Sequence, residues 1–366
     1  MGKSAVKGLF YICLIAATFV LATITIMAAF SGNVAPVDSV IMPLLGLAVP
    51  VLLIVNLITA LCWALARKRW ALVPLVAFFC NWGYLTSVFQ LHLPKDKTPA
   101  GKYLKIATYN IHNFGGEITG YSCKEIARYM QQEGVDVLCF QEFGDNSDFP
   151  TDSIRRVLSH WSHALIPSED SVKGVLPIAV FSRYPLANHR FITYQHSSNC
   201  SMMCDVVMGT DTIRLINNHL QTTSVSQKRR KWERELATDD TRREVQAAKD
   251  AAGTLHENFM KRATQTYVIS HYAKTSPYPV LLCGDFNSIP SSYTYHHLRK
   301  TLKDGFRTAG NGYMYTYRYA KRMLRIDYIF HSPSLKGIEY YSPDLDLCSD
   351  HNPVIMEAVS YTHLRA

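Results

Sequence analysis

Three long stretches of this 366-residue chain, 8–30, 39–66 and 70–91, contain no Asp, Glu, Lys or Arg. A helix at a protein surface keeps a polar face, so this absence points to helices surrounded by apolar material. Each stretch is long enough for the about 20 residues that a helix needs to cross a hydrocarbon core. A cleaved signal peptide is the weaker reading of the first, whose run of 23 residues exceeds the roughly 7–15 of a signal's apolar region. The third contains Pro74, Asn81, Gly83 and Gln90, and a buried core helix is the alternative there. The loop from Ser31 to Asp38 lacks Lys and Arg, whereas Lys3 and Lys7 precede the first stretch and Arg67-Lys68-Arg69 separates the second from the third. Basic residues in short loops mark the cytoplasmic side. Three crossings then place everything after Leu91 outside the cytoplasm, in a multi-pass protein of the cytoplasmic (inner) membrane. Lys95, Lys97, Lys102 and Lys105 pull the other way, and if the third stretch only lies in the interface the rest of the chain is cytoplasmic.

Other absences narrow the function. The spans carry no internal charge and so offer a transporter no polar pathway. The net charge of +9 divides into +4 for residues 1–92 and +5 for 93–366. That mild excess suits a phosphate-bearing substrate or an anionic lipid surface without demanding nucleic acid. The nine cysteines form no disulfide framework. Cys13, Cys62 and Cys80 fall in the spans, and Cys139 and Cys283 lie in apolar runs where a thiol acts as a small hydrophobe. Cys200 and Cys204 have no further ligand at metal-binding spacing and read as neighbouring strand positions. There is no internal repeat and no low-complexity segment.

What the chain does contain is a set of polar side chains at the ends of apolar, strand-like runs. Four such runs are Ile106-Ala107-Thr108-Tyr109-Asn110, Val137-Leu138-Cys139-Phe140-Gln141-Glu142, Leu215-Ile216-Asn217-Asn218-His219 and Arg325-Ile326-Asp327-Tyr328-Ile329. Gly284-Asp285-Phe286-Asn287 follows a fifth run, and Ser349-Asp350-His351-Asn352-Pro353 precedes a sixth, Val354 to Val359. One Asn or Asp at a strand end is ordinarily a turn former. Six sites together supply the ligands of a hard divalent cation and two imidazoles. In order and spacing the set resembles the endonuclease/exonuclease/phosphatase superfamily, over about Leu104 to Val359. Its members are metal-dependent phosphoesterases, among them pancreatic-type deoxyribonucleases, abasic-site endonucleases, bacterial sphingomyelinases and inositol polyphosphate phosphatases.

The resemblance implies an α/β fold: a four-layer sandwich of two packed mixed β-sheets flanked by helices, with the site at one rim. Here an N-terminal helical transmembrane region precedes it. The implied chemistry is hydrolysis of a phosphodiester by in-line attack of an activated water. Glu142 is expected to be the main ligand of Mg²⁺, or of Mn²⁺ as second choice, with Asn110 and Asp350 beside it. Asp285 is expected to orient or deprotonate the water, Asn287 to hydrogen-bond a phosphate oxygen, and His219 to contact the phosphoryl group or leaving oxygen. Asp327 is expected to accept an N–H from His351, which fixes the tautomer and favours the charged ring. The general base is either Asp285 or His351. On an extended backbone Asp285 and Asn287 share a face while Phe286 packs away from it.

These readings divide the chain into a transmembrane region (1–92, helices 8–30, 39–66 and 70–91), a linker (93–103), a catalytic domain (104–360) and a patternless tail (361–366). Within the domain, a helix is predicted from about Ser122, as N-cap, to Glu133, with Gly134 at C′. Strands are predicted over 177–182, 202–208, 212–219, 325–331, 338–341 and 354–359, with a hairpin at Gly209-Thr210-Asp211. Residues 226–274 read as two helices breaking near Thr238 to Thr241, and the run Lys228 to Lys231 as a solvated face. Arg183-Tyr184-Pro185 reads as structural. Tyr313, Tyr315, Tyr317 and Tyr319 read as one face of a strand or as an aromatic rim. The substrate is nucleic acid, a phospholipid head group or an inositol phosphate, the last implying a phosphomonoesterase. The spans make the lipid bilayer a partner, and no protein partner is inferable. A non-catalytic scaffold of the same fold is the reading from another class, disfavoured because every motif is intact.

Overall fold

The protein was studied as a computed structural model, which describes residues 3–93, 101–168, 174–223 and 241–360. The charge-free stretches are helical: α1 Lys3–Ala29, α2 Ile41–Leu65 and the consecutive pair α3 Leu72–Cys80 and α4 Trp82–Val88. α1 and α2 are each long and apolar enough to cross a membrane. The third stretch is no single helix to residue 91. It bends by 62° at Asn81, and the helix stops at Val88 because Phe89–Gln90 (β1) pairs as a strand.

The chain forms two compact units. One comprises Met1–Ser87, Val225–Met260 and Ile289–His297; the other comprises Val88–Ser224, Lys261–Ser288 and Leu298–Ala366. In the first, buried polar side chains join the apolar helices. Asn56 donates to Thr25 Oγ1 at 2.7 Å, Trp63 Nε1 to Thr18 Oγ1 at 2.9 Å, and Asn81 to the Thr25 carbonyl at 3.1 Å. Hydrogen bonds of this kind hold helices together where burial alone gives little preference among apolar surroundings. The segment Ile289–His297 is bound into the same unit. Ser31 Oγ donates to the Ser291 carbonyl at 2.9 Å, Ser291 Oγ to the Gly46 carbonyl at 2.8 Å, and Tyr295 OH to Ser87 Oγ at 3.0 Å. The His296 ring lies 3.2 Å from Asn33 Oδ1.

The second unit is built on strands and helices in the order β2 Lys102–Asn110, α5 Tyr121–Gln132, β3 Val137–Gln141, α6 Thr151–Val157, β4 His163–Leu165, β5 Ile178–Ser182, β6 Leu186–Thr193, β7 Cys200–Met208 and β8 Asp211–His219. Then come α7 Thr241–Lys274, β9 Val280–Asp285, α8 Tyr293–Leu298, β10 Lys303–Asp304, α9 Gly305–Ala309, β11 Gly312–Tyr313, β12 Asp327–His331, β13 Leu335–Tyr341 and β14 Val354–Ser360. α7 and α8 each run across the division between the units.

The strands form two mixed six-stranded sheets, ordered β13-β14-β2-β3-β5-β4 and β10-β12-β9-β8-β7-β6. Each has a parallel pair, β2/β3 or β8/β9, flanked by antiparallel strands. Strand periodicity assigns the two faces. Ile106, Val137, Cys139, Ile178 and Val180 of one sheet pack with Cys204, Leu215, Leu281 and Cys283 of the other. The alternate residues Ala107, Leu138, Phe140 and Phe181 pack outward with Ile126 and Met130 of α5 and Trp161. A sheet covered on both faces reads as a continuous apolar run, which is why β3 and β5 are buried throughout. Two polar side chains pin the sheets together: Gln141 Nε2 donates to Asn217 Oδ1 at 2.6 Å, and Asn217 Nδ2 to the Phe140 carbonyl at 3.1 Å.

Several local expectations change. The N-cap of α5 is Gly120, in the left-handed region, and Ser122 lies inside the helix with its N–H and hydroxyl bonded to Glu117. Gly134 has φ 67°, as a C′ residue requires. α7 is one helix from Thr241, and the rest of the predicted pair, with Lys228 to Lys231, lies outside the described residues. So does the tail 361–366, as does most of the linker, though Lys102 and Tyr103 already belong to β2. β1, β4, β6 and β10 had no counterpart in the sequence reading, whereas β11 covers the first of the tyrosines read as a strand face. The tyrosine run is a loop beyond Tyr313.

Gly284 shows how tightly β8 and β9 approach. Its φ is 131°, and a Cβ there would stand 1.9 Å from the Asn218 carbonyl oxygen. A backbone atom cannot yield as a side chain does. Gly284→Ala is therefore expected to destabilise the fold by about 3 kcal/mol, the top of the usual range for overpacking. Thermal unfolding of the variant measures this, and an unchanged midpoint would refute it.

Candidate active site

Both parallel pairs end at the same rim. Asn110 and Gln141 close β2/β3 in register, with Glu142 next in sequence, and His219 and Asp285 close β8/β9. β12 begins at Asp327, opposite Asp285, and β14 begins just after the Asp350-His351 pair. Carboxyl ends of parallel strands thus meet amino ends of antiparallel ones, the usual place for a ligand site in open α/β sheets. Glu142 turns there in the left-handed region, φ 49°.

The side chains converge on Asp285, which is 1% exposed. Its Oδ2 accepts from Asn110 Nδ2 at 3.1 Å and Asn287 Nδ2 at 3.2 Å, while Oδ1 accepts the Asn287 N–H at 2.8 Å. Asn110 Nδ2 also donates to Glu142 Oε1 at 3.1 Å. His219 Nε2 stands 3.7 Å from both Glu142 Oε1 and Asp285 Oδ2. His351 Nδ1 meets Asp327 Oδ2 at 2.9 Å, and its Nε2 lies 3.7 Å from Asp285 Oδ2 and 3.9 Å from Asp350 Oδ1. Ser349 Oγ donates to the Asn110 carbonyl at 2.5 Å, stitching the two motifs together. Phe286 packs against Tyr328 and Phe330. Asn287 reaches Asp285 through a turn at φ 47°, not through an extended backbone, and its Nδ2 also holds the Leu220 carbonyl at 3.0 Å.

The electrostatics divide the two histidines. Burial pushes His219 below its ordinary value, and Asp285 and Glu142 oppose this without reversing it. Burial acts the same way on His351, but there Asp327 and Asp285 win and raise it well above the ordinary range. At neutral pH one ring is neutral and the other an imidazolium. Burial raises Glu142, yet His219, the Asn110 amide, His112 and His351 together hold it below the usual carboxylate range.

Two oxygen-rich groupings bear on a cation. Ligand atoms of Asp285, Asp327 and His351 all lie within 4.8 Å of one another, but there the His351 imidazolium offsets one of the two carboxylate charges and its Nδ1 is already bonded to Asp327. Glu142 and Asp350 are more accessible, at 24% and 31%, and offer the hard oxygens that Mg²⁺ prefers, while Asn110 turns its Nδ2 to Glu142 and accepts the His112 N–H on Oδ1 at 3.2 Å. Neither ring nitrogen of His219 has a hydrogen-bond partner among the described residues. Buried nitrogens of this kind are normally satisfied, and here Nε2 is the one that faces the carboxylates of Glu142 and Asp285.

Three neighbours had no role in the sequence reading, and a fourth, Tyr317, was read only as a strand face or an aromatic rim. His112 Nδ1 lies 3.2 Å from Glu142 Oε2. Arg262 and Gln265, on α7, hold the residues after His219: Arg262 donates to the Gln221 carbonyl at 2.7 Å, and the Gln221 N–H donates to Gln265 Oε1 at 2.7 Å. Burial lowers Arg262 to about 10, so it stays charged. The Tyr317 ring meets His351 edge-on at 5.2 Å. An Arg and a Gln three apart on a helix do mark one face, but nothing local says which strand end that face serves.

A family model described as Endonuclease/Exonuclease/phosphatase family matches residues 107–351, and one described as Domain of unknown function (DUF8431) matches 9–88. No curated protein matches the chain. Among solved structures, TDP2 from C. elegans is 16% identical with a TM-score of 0.51, the alignment covering 70% of this chain and 75% of that one. D. rerio TDP2 complexed with single strand DNA product is 13% identical at a TM-score of 0.51, covering 70% of this chain and 99% of that one. The endonuclease/exonuclease/phosphatase from Bacteroides vulgatus is 15% identical at 0.50, covering 71% and 99%. At these identities the likeness is one of fold.

Proposed function

Because the chain belongs to the endonuclease/exonuclease/phosphatase family, we propose that it is a membrane-anchored, divalent-metal-dependent phosphoesterase that hydrolyses a phosphodiester. The observation that carries this reading is the convergence of Asn110, His219, Asn287 and His351 on the single buried carboxylate of Asp285, with Glu142 alongside. Glu142 and Asp350 would hold Mg²⁺, ahead of Mn²⁺, with the Asn110 amide beside Glu142. A metal so held supplies charge neutralisation on the phosphoryl oxygens and lowers the cost of the leaving oxyanion.

The protein's own groups do the rest. His351, already bonded to Asp327 and kept protonated, is poorly suited to take a proton, which leaves Asp285 Oδ2 as the general base for the attacking water. The imidazolium Nε2 of His351 is then free to donate to a phosphoryl or leaving oxygen. Neutral His219 presents its Nε2 side to the same space. Asn110 and Asn287 hold the Asp285 carboxylate in one orientation.

For topology, the two long apolar helices and the bent pair α3 and α4 support three crossings. With the basic loops in the cytoplasm, the site lies outside the cytoplasmic membrane. Cleavage of nucleic acid is the second reading, supported by the DNA product bound to D. rerio TDP2.

The full chain in detergent, assayed with Mg²⁺ and then EDTA on plasmid DNA, sphingomyelin and inositol phosphates, tests the proposal. Chelator-sensitive turnover restored by Mg²⁺ is expected on one of them. A folded protein inert on all three overturns it.

A further inference from the structure

The last apolar helix ends at Val88, and the residues that follow it do not leave as a tether. Phe89 and Gln90 pair with Tyr313 and Gly312, the Met314 N–H donates to the Val88 carbonyl at 2.8 Å, and the His92 N–H donates to Asn311 Oδ1 at 2.5 Å. The loop they grip continues into the active site. Asn352 N–H donates to the Thr316 carbonyl at 2.7 Å, Arg318 N–H to the Asp350 carbonyl at 2.8 Å, and the Tyr317 ring lies against His351. One short loop therefore joins the exit of an apolar helix to the catalytic imidazole, with only Met314, Tyr315 and Thr316 between Tyr313 and Tyr317. At roughly 3.3–3.6 Å per residue this separation is small whatever the orientation of the helices. A second segment repeats the pattern, since Asn287 is followed four residues later by Ser291, which is bonded to Ser31 and Gly46.

The exposed side chains on this loop and its partner strand are of an interfacial kind. Phe89 is 49% exposed, Leu91 80%, Tyr313 53% and Tyr319 65%. Lys321 and Arg322 follow on a tip where Ala320, Lys321 and Arg322 all have positive φ, a conformation that costs energy for residues with a Cβ and recurs where a loop is held for a purpose. Arg318 is occupied by Asp344 and Asp346, and Arg322 shares Asp344. Aromatic rings with flanking basic residues favour the headgroup level of a bilayer and anionic lipid.

We propose that this loop, with Phe89 and Leu91, rests on the surface of an anionic phospholipid bilayer, and that the site takes a phosphoester presented by that surface in preference to one in solution. The substrate class rests on the phosphoesterase reading; the surface does not.

The test uses the full chain in vesicles of phosphatidylethanolamine and phosphatidylglycerol. With Tyr319→p-benzoylphenylalanine, irradiation is expected to give a phospholipid adduct on the peptide spanning 311–324. Absence of the adduct overturns the surface, even where EDTA-sensitive cleavage of soluble bis(p-nitrophenyl) phosphate upholds the hydrolase. Between lipid in the vesicle and that soluble diester, the ratio of rates is expected to fall at least about tenfold in Phe89→Ser/Tyr313→Ser, because interfacial binding scales with buried apolar area. An unchanged ratio, or an oligonucleotide cleaved faster than any vesicle lipid, overturns the substrate class. An adduct without chelator-sensitive turnover of any ester leaves the surface standing and removes the hydrolase reading.

Discussion

Asp285→Asn is expected to lower kcat for phosphate-ester hydrolysis by roughly 10²–10⁴-fold, the range for loss of a positioned general base. The substitution changes little in volume but reverses the polarity of one atom. Asp285 Oδ2 accepts from both Asn110 and Asn287, and Oδ1 accepts the Asn287 N–H. A carboxamide can keep one of these sides only, so its NH₂ faces donors and the water loses its acceptor. KM for a soluble diester is expected to move far less than kcat, and the unfolding midpoint to stay near that of the wild type. A scaffold without catalysis predicts no change in function. Full hydrolytic activity in a folded Asp285→Asn protein would remove the base assignment.

The largest expected loss of stability lies in the same unit, at a charge that never touches substrate. Arg325 is completely buried. It makes two bonds to Asp304, of 2.7 and 2.6 Å, and one to Tyr340 OH of 3.0 Å, between the rings of Phe306, Tyr328 and Tyr340. Asp304→Ala leaves the guanidinium without its counter-charge in an apolar box, a change that costs about 3–5 kcal/mol. The Asp304 carboxylate also caps α9 through the Phe306 N–H at 3.1 Å, so the effect falls on two elements. Replacing both partners, Asp304→Leu with Arg325→Met, is expected to recover most of the loss, because an apolar pair of similar volume avoids burying the charge. Thermal unfolding of the single and double variants decides this; a double variant no better than the single one would place the cost in packing. Arg325 lies two residues before Asp327, so the single variant is expected to weaken activity as well.

How much of this was legible beforehand depended on how local each signal was. β2, β3, β8 and β9 are buried on both faces or nearly so, and their continuous apolar runs end abruptly at Asn110, Gln141, His219 and Asp285. The change from apolar to polar is in the sequence, so the rim could be read directly. β6 could not be, because an edge strand with a bulge, carrying Asn188, His189 and Arg190 toward solvent, keeps no period of two. β1 was hidden for another reason: Phe89 and Gln90 look like the tail of an apolar span, and only pairing with residues more than two hundred positions away makes them a strand. Arg262 and Gln265 were missed for the same lack of a local cue. Their importance lies in what a distant segment brings to them. Asp285 and Asn287 were expected on one side from strand alternation, and they do meet, but through a left-handed turn that the alternation rule does not describe.

The pairing of β1 with β11 also bears on how the protein can be cut. A fragment beginning at Lys102 would lack Phe89 to His92, leaving Gly312 and Tyr313 with open hydrogen-bonding groups beside exposed tyrosines, the kind of edge that recruits other chains. It would also lack Ser31, Asn33, Gly46 and Ser87, the partners of Ser291, Tyr295 and His296. Cutting the chain between His92 and Lys102 is thus expected to yield an aggregation-prone fragment with the chain behind Asn287 unsupported.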